Sequence, residues 1–250
     1  MKYSICIDAL FKGTDFIKAM KTVKACGMDT IEFWLWTNKD LDSIIKAKNE
    51  LDMKIVGCCT KEFDLVNPSK RDIYLDGLRE SVEVAKRLGV DFLITQVGED
   101  TGESGEAQKQ SIIDGLKCCV PILEKSGMTL LIEPLNAQDH PSDFLRSSEA
   151  AFDIVRAVGS DYVKVLFDIY HQQITEGNLL YNIKKNIDFI GHFHAAGNPG
   201  RNELNKGEIH YKNIFRELEK LHYEKYIGFE FFPEGSVECG IKESLGVTNA

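Results

Sequence analysis

The feature that most constrains this chain is an alternation, in which a short apolar run is followed by a stretch with helical spacing until eight such runs have passed. The runs expected as strands are Tyr3 to Ile7, Thr30 to Trp34, Lys54 to Cys58, Asp91 to Thr95, Thr129 to Ile132, Val163 to Phe167, Phe189 to Phe193 and Tyr226 to Phe229. They are rich in β-branched and aromatic residues and nearly continuous in apolar character. That pattern fits a parallel sheet covered by helices, because a half-exposed antiparallel sheet would alternate. Helical spacing is expected over Asp15 to Cys26, Leu41 to Leu51, Ile73 to Leu88, Ser111 to Lys125, Ser147 to Val158 and Ile214 to His222. The β-then-α order over 250 residues predicts an α/β fold, one (β/α)8 TIM barrel forming a single domain over 1–250.

Connections differ at the two ends of such a barrel. Ala25-Cys26-Gly27, Arg87-Leu88-Gly89 and Lys125-Ser126-Gly127 each end a helix on a glycine suited to the left-handed C-terminal conformation, so the αβ turns are read as tight. The βα segments are longer and carry the unusual residues, as in Thr95 to Asp100, Asn136 to Pro141 and Ala196 to Arg201. Active sites of these barrels are built from those loops. Val237 to Leu245 is expected to close the barrel as a weakly specified last helix, with Gly246 to Ala250 fraying.

Charge excludes some functions. Thirty Lys plus Arg against thirty-nine Asp plus Glu leave a net charge of −9, which repels a nucleic-acid backbone and points to a small ligand. No apolar stretch has the length of a signal peptide or a membrane span, so a cytoplasmic protein is expected. The seven cysteines form no C-x-x-C pair and are expected as reduced thiols, mostly in the core; the Cys58-Cys59 and Cys118-Cys119 neighbours are weak metal-ligand candidates. Homo-oligomerisation is common among barrels but has no signature here.

Strands five to eight each run directly into a potential metal ligand: Glu133, Asp168, His194 and Glu230. Their separations of 35, 26 and 36 residues bracket the roughly 31 residues of one β/α unit, so the four converge at one end of the barrel. One polar residue at a strand end is usually a cap or a solvated loop residue. Four in register are not, since like charges brought together must be protonated or neutralised. A divalent cation is the simplest neutraliser. Three carboxylates and an imidazole favour Mn²⁺ or Mg²⁺, with Co²⁺ or Zn²⁺ as alternatives.

Ile132-Glu133-Pro134-Leu135-Asn136, Phe167-Asp168-Ile169-Tyr170-His171, and Gly200-Arg201-Asn202-Glu203 with Gly207-Glu208-Ile209 resemble the xylose isomerase-like barrel superfamily, and within it the hydroxypyruvate isomerase branch. The motifs run from about Ile132 to Pro233; the first half rests on architecture alone. The resemblance implies that Glu133, Asp168, His194 and Glu230 are metal ligands and that His171 and Arg201 contact substrate. One departure matters: hydroxypyruvate isomerases typically carry Gln where this chain has His194 in His192-Phe193-His194, an arrangement similar to ketose 3-epimerases.

The residue types then suggest a chemistry. A cation beside a carbonyl makes the neighbouring C–H more acidic, and Glu133 and Glu230 are the expected acid/base pair. His171 is expected to bond a substrate oxygen as a neutral imidazole, and Arg201 to reach a carboxylate or terminal oxygen, with Glu208 either orienting it or capping a helix. His192 is expected to turn toward the helices. Asp139 and His140 are weaker substrate contacts, and Trp34 and Trp36 a candidate apolar wall. The leading expectation is an isomerase of a small hydroxy-carbonyl compound, of the hydroxypyruvate or 2-oxo-tetronate kind. Its rivals are a ketose 3-epimerase on a neutral sugar, an inositol-type dehydratase, a sugar-binding barrel with a structural ion, and a DNA-repair endonuclease, which would need more than the six histidines present.

Overall fold

Continuous apolar runs cannot leave a face in water, and here each pairs with the next in chain order. A computed structural model describes residues 1–248 and shows a closed barrel of β1 (Lys2–Cys6), β2 (Thr30–Phe33), β3 (Lys54–Cys59), β4 (Phe92–Thr95), β5 (Thr129–Ile132), β6 (Val163–Asp168), β7 (Ile190–Ala195) and β8 (Tyr226–Phe229). Each neighbouring pair is parallel, and β8 returns to β1. The expected (β/α)8 architecture is what forms.

Helices Phe16–Ala25, Leu41–Glu50, Gly105–Ser126 and Ser148–Val158 are capped by Asp15, Asp40, Ser104 and Ser147, whose side chains accept from the backbone three residues on. Gly89 and Gly127 end their helices at φ 70° and 69°, as the sequence predicts. Three α-helices among the described residues were not expected: a single turn at Ile7–Leu10, and Ile169–Thr175 and Leu179–Asn186 between β6 and β7. Each is too short for its apolar spacing to register. The last helix, Val237–Thr248, continues through the residues from Gly246 expected to fray; Asn249 and Ala250 lie outside the described residues.

Most of the core lies between strands and helices, where Ile31, Leu130, Phe167 and Phe193 are fully buried. The barrel interior is divided. Val56, Phe92, Ile94, Leu131 and Leu166 from β3 to β6 form a separate apolar cluster. Ser4, Cys6, Glu32, His192, His194 and Glu230 fill the opposite side, from β1, β2 and the β7–β8 pair, and all are buried.

His192, expected to face the helices, instead lies inside the barrel, with its Nε2 2.8 Å from Glu32 Oε2. Residues two apart on a strand share a face, so His192 must point the same way as His194. Phe92 packs its ring 4.6 Å from that of His192 and so joins the two halves. Gly57 makes room for it: a Cβ at 57 would lie 2.2 Å from the Phe92 ring.

Gly57→Ala is therefore expected to destabilise the fold by about 1–3 kcal/mol through overpacking, measured as a lower urea midpoint. Phe92→Leu in the same chain should recover part of that loss, whereas strictly additive effects would mean that the two side chains do not compete for one space.

Candidate active site

Four successive strands deliver the expected ligand set to one place. Glu133 and Glu230 immediately follow β5 and β8, while Asp168 and His194 sit near the ends of β6 and β7. All four are buried, and one ligating atom from each lies within 4.8 Å of every other. His194 Nδ1 is 3.6 Å from Glu133 Oε1 and 3.3 Å from Glu230 Oε2.

Local structure fixes each side chain. Asp168 is the N-cap of Ile169–Thr175: Oδ1 accepts from the backbone N–H of Tyr170 at 2.8 Å and of His171 at 3.3 Å, while Oδ2 lies 3.5 Å from Arg201 Nη2. Glu230 Oε1 accepts from Trp34 Nε1 at 2.6 Å and from Cys6 Sγ at 3.7 Å, and Oε2 pairs with Arg201. Behind His194, its Nε2 is 3.2 Å from Glu32 Oε1.

The charges sustain one another. Burial opposes the ionised form of Glu230, but His194 and Arg201 hold it well below the usual carboxylate range. Burial raises Asp168, and Arg201 only partly offsets it. Burial also works against a charged His194, yet Glu230 and Glu32 carry it well above the usual imidazole range. The same two forces bring Glu32 to about 2, burial opposing and the His192 and His194 charges winning.

These donors fit a divalent ion. Three carboxylates converge on one buried point, and both ring nitrogens of His194 lack a well-aligned hydrogen-bond partner. The four-ligand group contains no thiolate, so hard, oxygen-preferring ions suit it better than soft ones. A second group, Glu32 with His192 and His194, adjoins it. The neighbouring cysteines belong to neither group, and all seven cysteines are free. Four are buried, as expected for most of them, while Cys26 is half-buried and Cys118 and Cys239 are exposed.

His171 lies beside the ligands, with Nε2 3.5 Å from Asp168 Oδ2. Its Nδ1 accepts from the Asn136 backbone N–H at 3.2 Å and faces the Asn136 side-chain amide at 2.6 Å, so the proton of the neutral ring belongs on Nε2. Burial, then the Arg201 charge, lower His171 to about 4. Arg201 turns inward, its guanidinium between the rings of Tyr170 and Phe232, 5.2 and 5.5 Å from their centroids. Glu208 does not orient it; Glu208 accepts from Gln173 and Asn198, and His210 caps the helix beyond.

A cavity of about 680 Å³ opens above the four-residue cluster, lined by Trp34, Asp139, His140, His171 and Arg201 among others. Trp36 is not part of that wall. The sequence reading missed Glu32 and Asn136 as site residues. A carboxylate inside the apolar run Ile31-Glu32-Phe33 was the available signal, since buried acids are rare unless paired.

Residues 20–250 match the xylose isomerase-like TIM barrel family. The chain is 28% identical over 251 residues to the hydroxypyruvate isomerase of Escherichia coli, covering 97% of each. It is 30% identical over 254 residues to a 2-oxo-tetronate isomerase of Pectobacterium atrosepticum, covering 96% of this chain and 95% of that one. Among solved structures, a family 2 AP endonuclease from Brucella melitensis superposes with a TM-score of 0.92 at 24% identity, covering 96% of this chain and 97% of that one. At that identity the likeness is one of fold.

The depressed basicity of His171 has a measurable sign. The unfolded chain takes up this proton near the ordinary 6.5 and the folded chain only near 4, so its contribution to stability is fully present above 6.5 and is lost as pH falls through that interval. In the metal-free protein its imidazole NMR signals should titrate near 4; a midpoint near 6.5 would contradict the buried, Asn136-bound ring.

Proposed function

The chain belongs to the xylose isomerase-like TIM barrel family, and from that premise we propose that it is a metal-dependent isomerase of a small hydroxy-carbonyl compound, of the hydroxypyruvate or 2-oxo-tetronate type. One observation carries the reading: Glu133 and Glu230 face one cavity beside Asp168 and His194, in a cluster whose donor set suits a divalent ion. The names of the two isomerases above support the substrate class.

Glu133, Asp168, His194 and Glu230 would hold the ion, with Mn²⁺ or Mg²⁺ favoured by the carboxylates and Co²⁺ or Zn²⁺ as alternatives. When bound, it supplies positive charge where negative charge develops on the substrate oxygens. A Glu carboxylate takes the proton from the carbon bearing the hydroxyl, and the proton is returned to the former carbonyl carbon. The hydroxyl proton passes to the former carbonyl oxygen, so the product is an isomer with no atom gained or lost. His171 Nε2–H donates to a substrate oxygen while Asn136 holds the ring. Arg201 offers its remaining N–H groups to the substrate carboxylate.

One residue favours a second reading. His194 stands where the resemblance to hydroxypyruvate isomerases leads one to expect Gln; ketose 3-epimerases share this His, and in an epimerase the proton would return to the opposite face of the same carbon.

Three measurements test these proposals. Chelation should abolish turnover of hydroxypyruvate, and Mn²⁺ should restore it; full activity after exhaustive chelation would remove the metal from the reading. Glu230→Gln should lower kcat by about 10²- to 10⁴-fold with the fold retained, and an unchanged kcat would remove Glu230 as an acid/base. In deuterated water, label at the former carbonyl carbon of a hydroxy-acid substrate supports isomerisation, label confined to C3 of a neutral ketose supports epimerisation, and no exchange in either sinks both.

A further inference from the structure

His194 faces two ways. Its Nδ1 points to Glu133 and Glu230 in the candidate metal cluster, and its Nε2 points to Glu32. An imidazole can give a lone pair to an ion at one nitrogen only if the proton resides on the other. A carboxylate behind the ring is the usual means of fixing that tautomer and raising the basicity of the ligating nitrogen.

Glu32 is well built for that task and has no evident alternative. It is 1% exposed and reaches from β2 into the barrel interior, past β1 and β8, to contact β7. Its two oxygens divide between two rings, Oε2 lying 2.8 Å from His192 Nε2 and Oε1 3.2 Å from His194 Nε2. These are close contacts without a well-aligned hydrogen bond, and neither oxygen has a hydrogen-bond partner elsewhere among the described residues. Phe92 packs against the His192 ring and restrains its side of the pair.

The surrounding chain keeps the space for it. At Gly228 of β8, which pairs with His194, a Cβ would lie 1.8 Å from Glu32 Oε1. Any side chain at 228 would displace the carboxylate. A buried acid costs several kcal/mol unless it is paired, so an inert filler at position 32 would be apolar.

We propose that Glu32 is a positioning residue for the metal centre: it holds the proton of His194 on Nε2, keeps Nδ1 free to ligate, and is itself held from behind by His192. The inference rests on the metal-dependent reading above and adds to it a residue that touches neither substrate nor ion. A second ion between Glu32 and the two histidines fits less well, because the separations already match direct nitrogen–oxygen contact and the group lies sealed beneath the first cluster.

The test is metal binding to the full-length protein by calorimetry, with ¹⁵N-histidine NMR of the Zn²⁺ or Mg²⁺ form. Wild type should bind one ion per chain and show His194 protonated on Nε2. Glu32→Gln, which keeps the shape and removes the charge, should weaken binding by about 10- to 100-fold and give His194 a mixture of tautomers. Glu32→Asp should recover part of the affinity. Should Glu32→Gln not fold, His192→Gln is read instead, with a smaller loss of affinity expected and the same tautomer mixing.

The outcomes separate the two claims. If wild type binds none of Mn²⁺, Mg²⁺, Co²⁺ or Zn²⁺, the metal-dependent reading fails whatever Glu32 does. If wild type binds one ion and the folded variant binds it equally well with His194 unchanged, the role of Glu32 alone is overturned. Two ions in wild type, one of them lost with Glu32, would overturn it too, because Glu32 would then be a ligand.

Discussion

The constraint on which the rest of this structure depends is the burial of like charges. Glu133, Asp168 and Glu230 are brought to one largely buried point at the floor of the cavity, and Glu32 lies behind them. Isolated, such groups would take up protons or disrupt the fold. They coexist because His194 and Arg201 lie among them, and because the geometry suits a divalent ion. Folding and the proposed catalysis thus draw on one arrangement, and a change to any one of these charges is felt by the others.

That arrangement explains the uneven interior. A barrel of this size is normally filled with layers of branched apolar side chains. Here β3 to β6 conform, whereas Ser4, Glu32, His192 and His194 occupy the other side. The polar half is tolerated because Glu32 pairs closely with His192 and His194 across the barrel, and because glycines leave room for large side chains from nearby strands. Gly57 admits Phe92, and Gly228 admits Glu32. The interior is thus a support for the candidate metal cluster as much as a core.

Legibility in the sequence followed physical range. Strand order and the convergence of Glu133, Asp168, His194 and Glu230 were readable because a buried parallel strand is a continuous apolar run, and a polar residue at its end breaks the run abruptly. Gly89 and Gly127 were readable because a helix end is a local event. Contacts between distant strands were not. The pairing of Glu32 with His192 joins positions 160 residues apart and leaves no local spacing to detect. His192 shows that even a short-range rule must be applied correctly, since its separation of two from His194 dictates a shared face. The fate of Glu208 depended on how the loop after β7 folds, and nothing in the order of residues fixes that.

The two proposed acid/base carboxylates are not equivalent, and their surroundings favour different tasks. Glu230 is restrained by Trp34, Cys6, Arg201 and His194, and cationic neighbours keep it ionised. Among the described residues Glu133 makes one ion pair, with His194 at 3.6 Å, and lacks the several donors that hold Glu230. A carboxylate gripped at both oxygens must break contacts before it can carry a proton, and its affinity for that proton is low. A less restrained carboxylate can turn toward a substrate without breaking such contacts. Pairs of acids placed in unlike environments commonly divide their roles in this way. Within the proposed isomerase reading, the contacts favour Glu133 as the group that carries the proton between adjacent carbons, with Glu230 the more tightly held of the two proposed acid/base groups, beside Arg201.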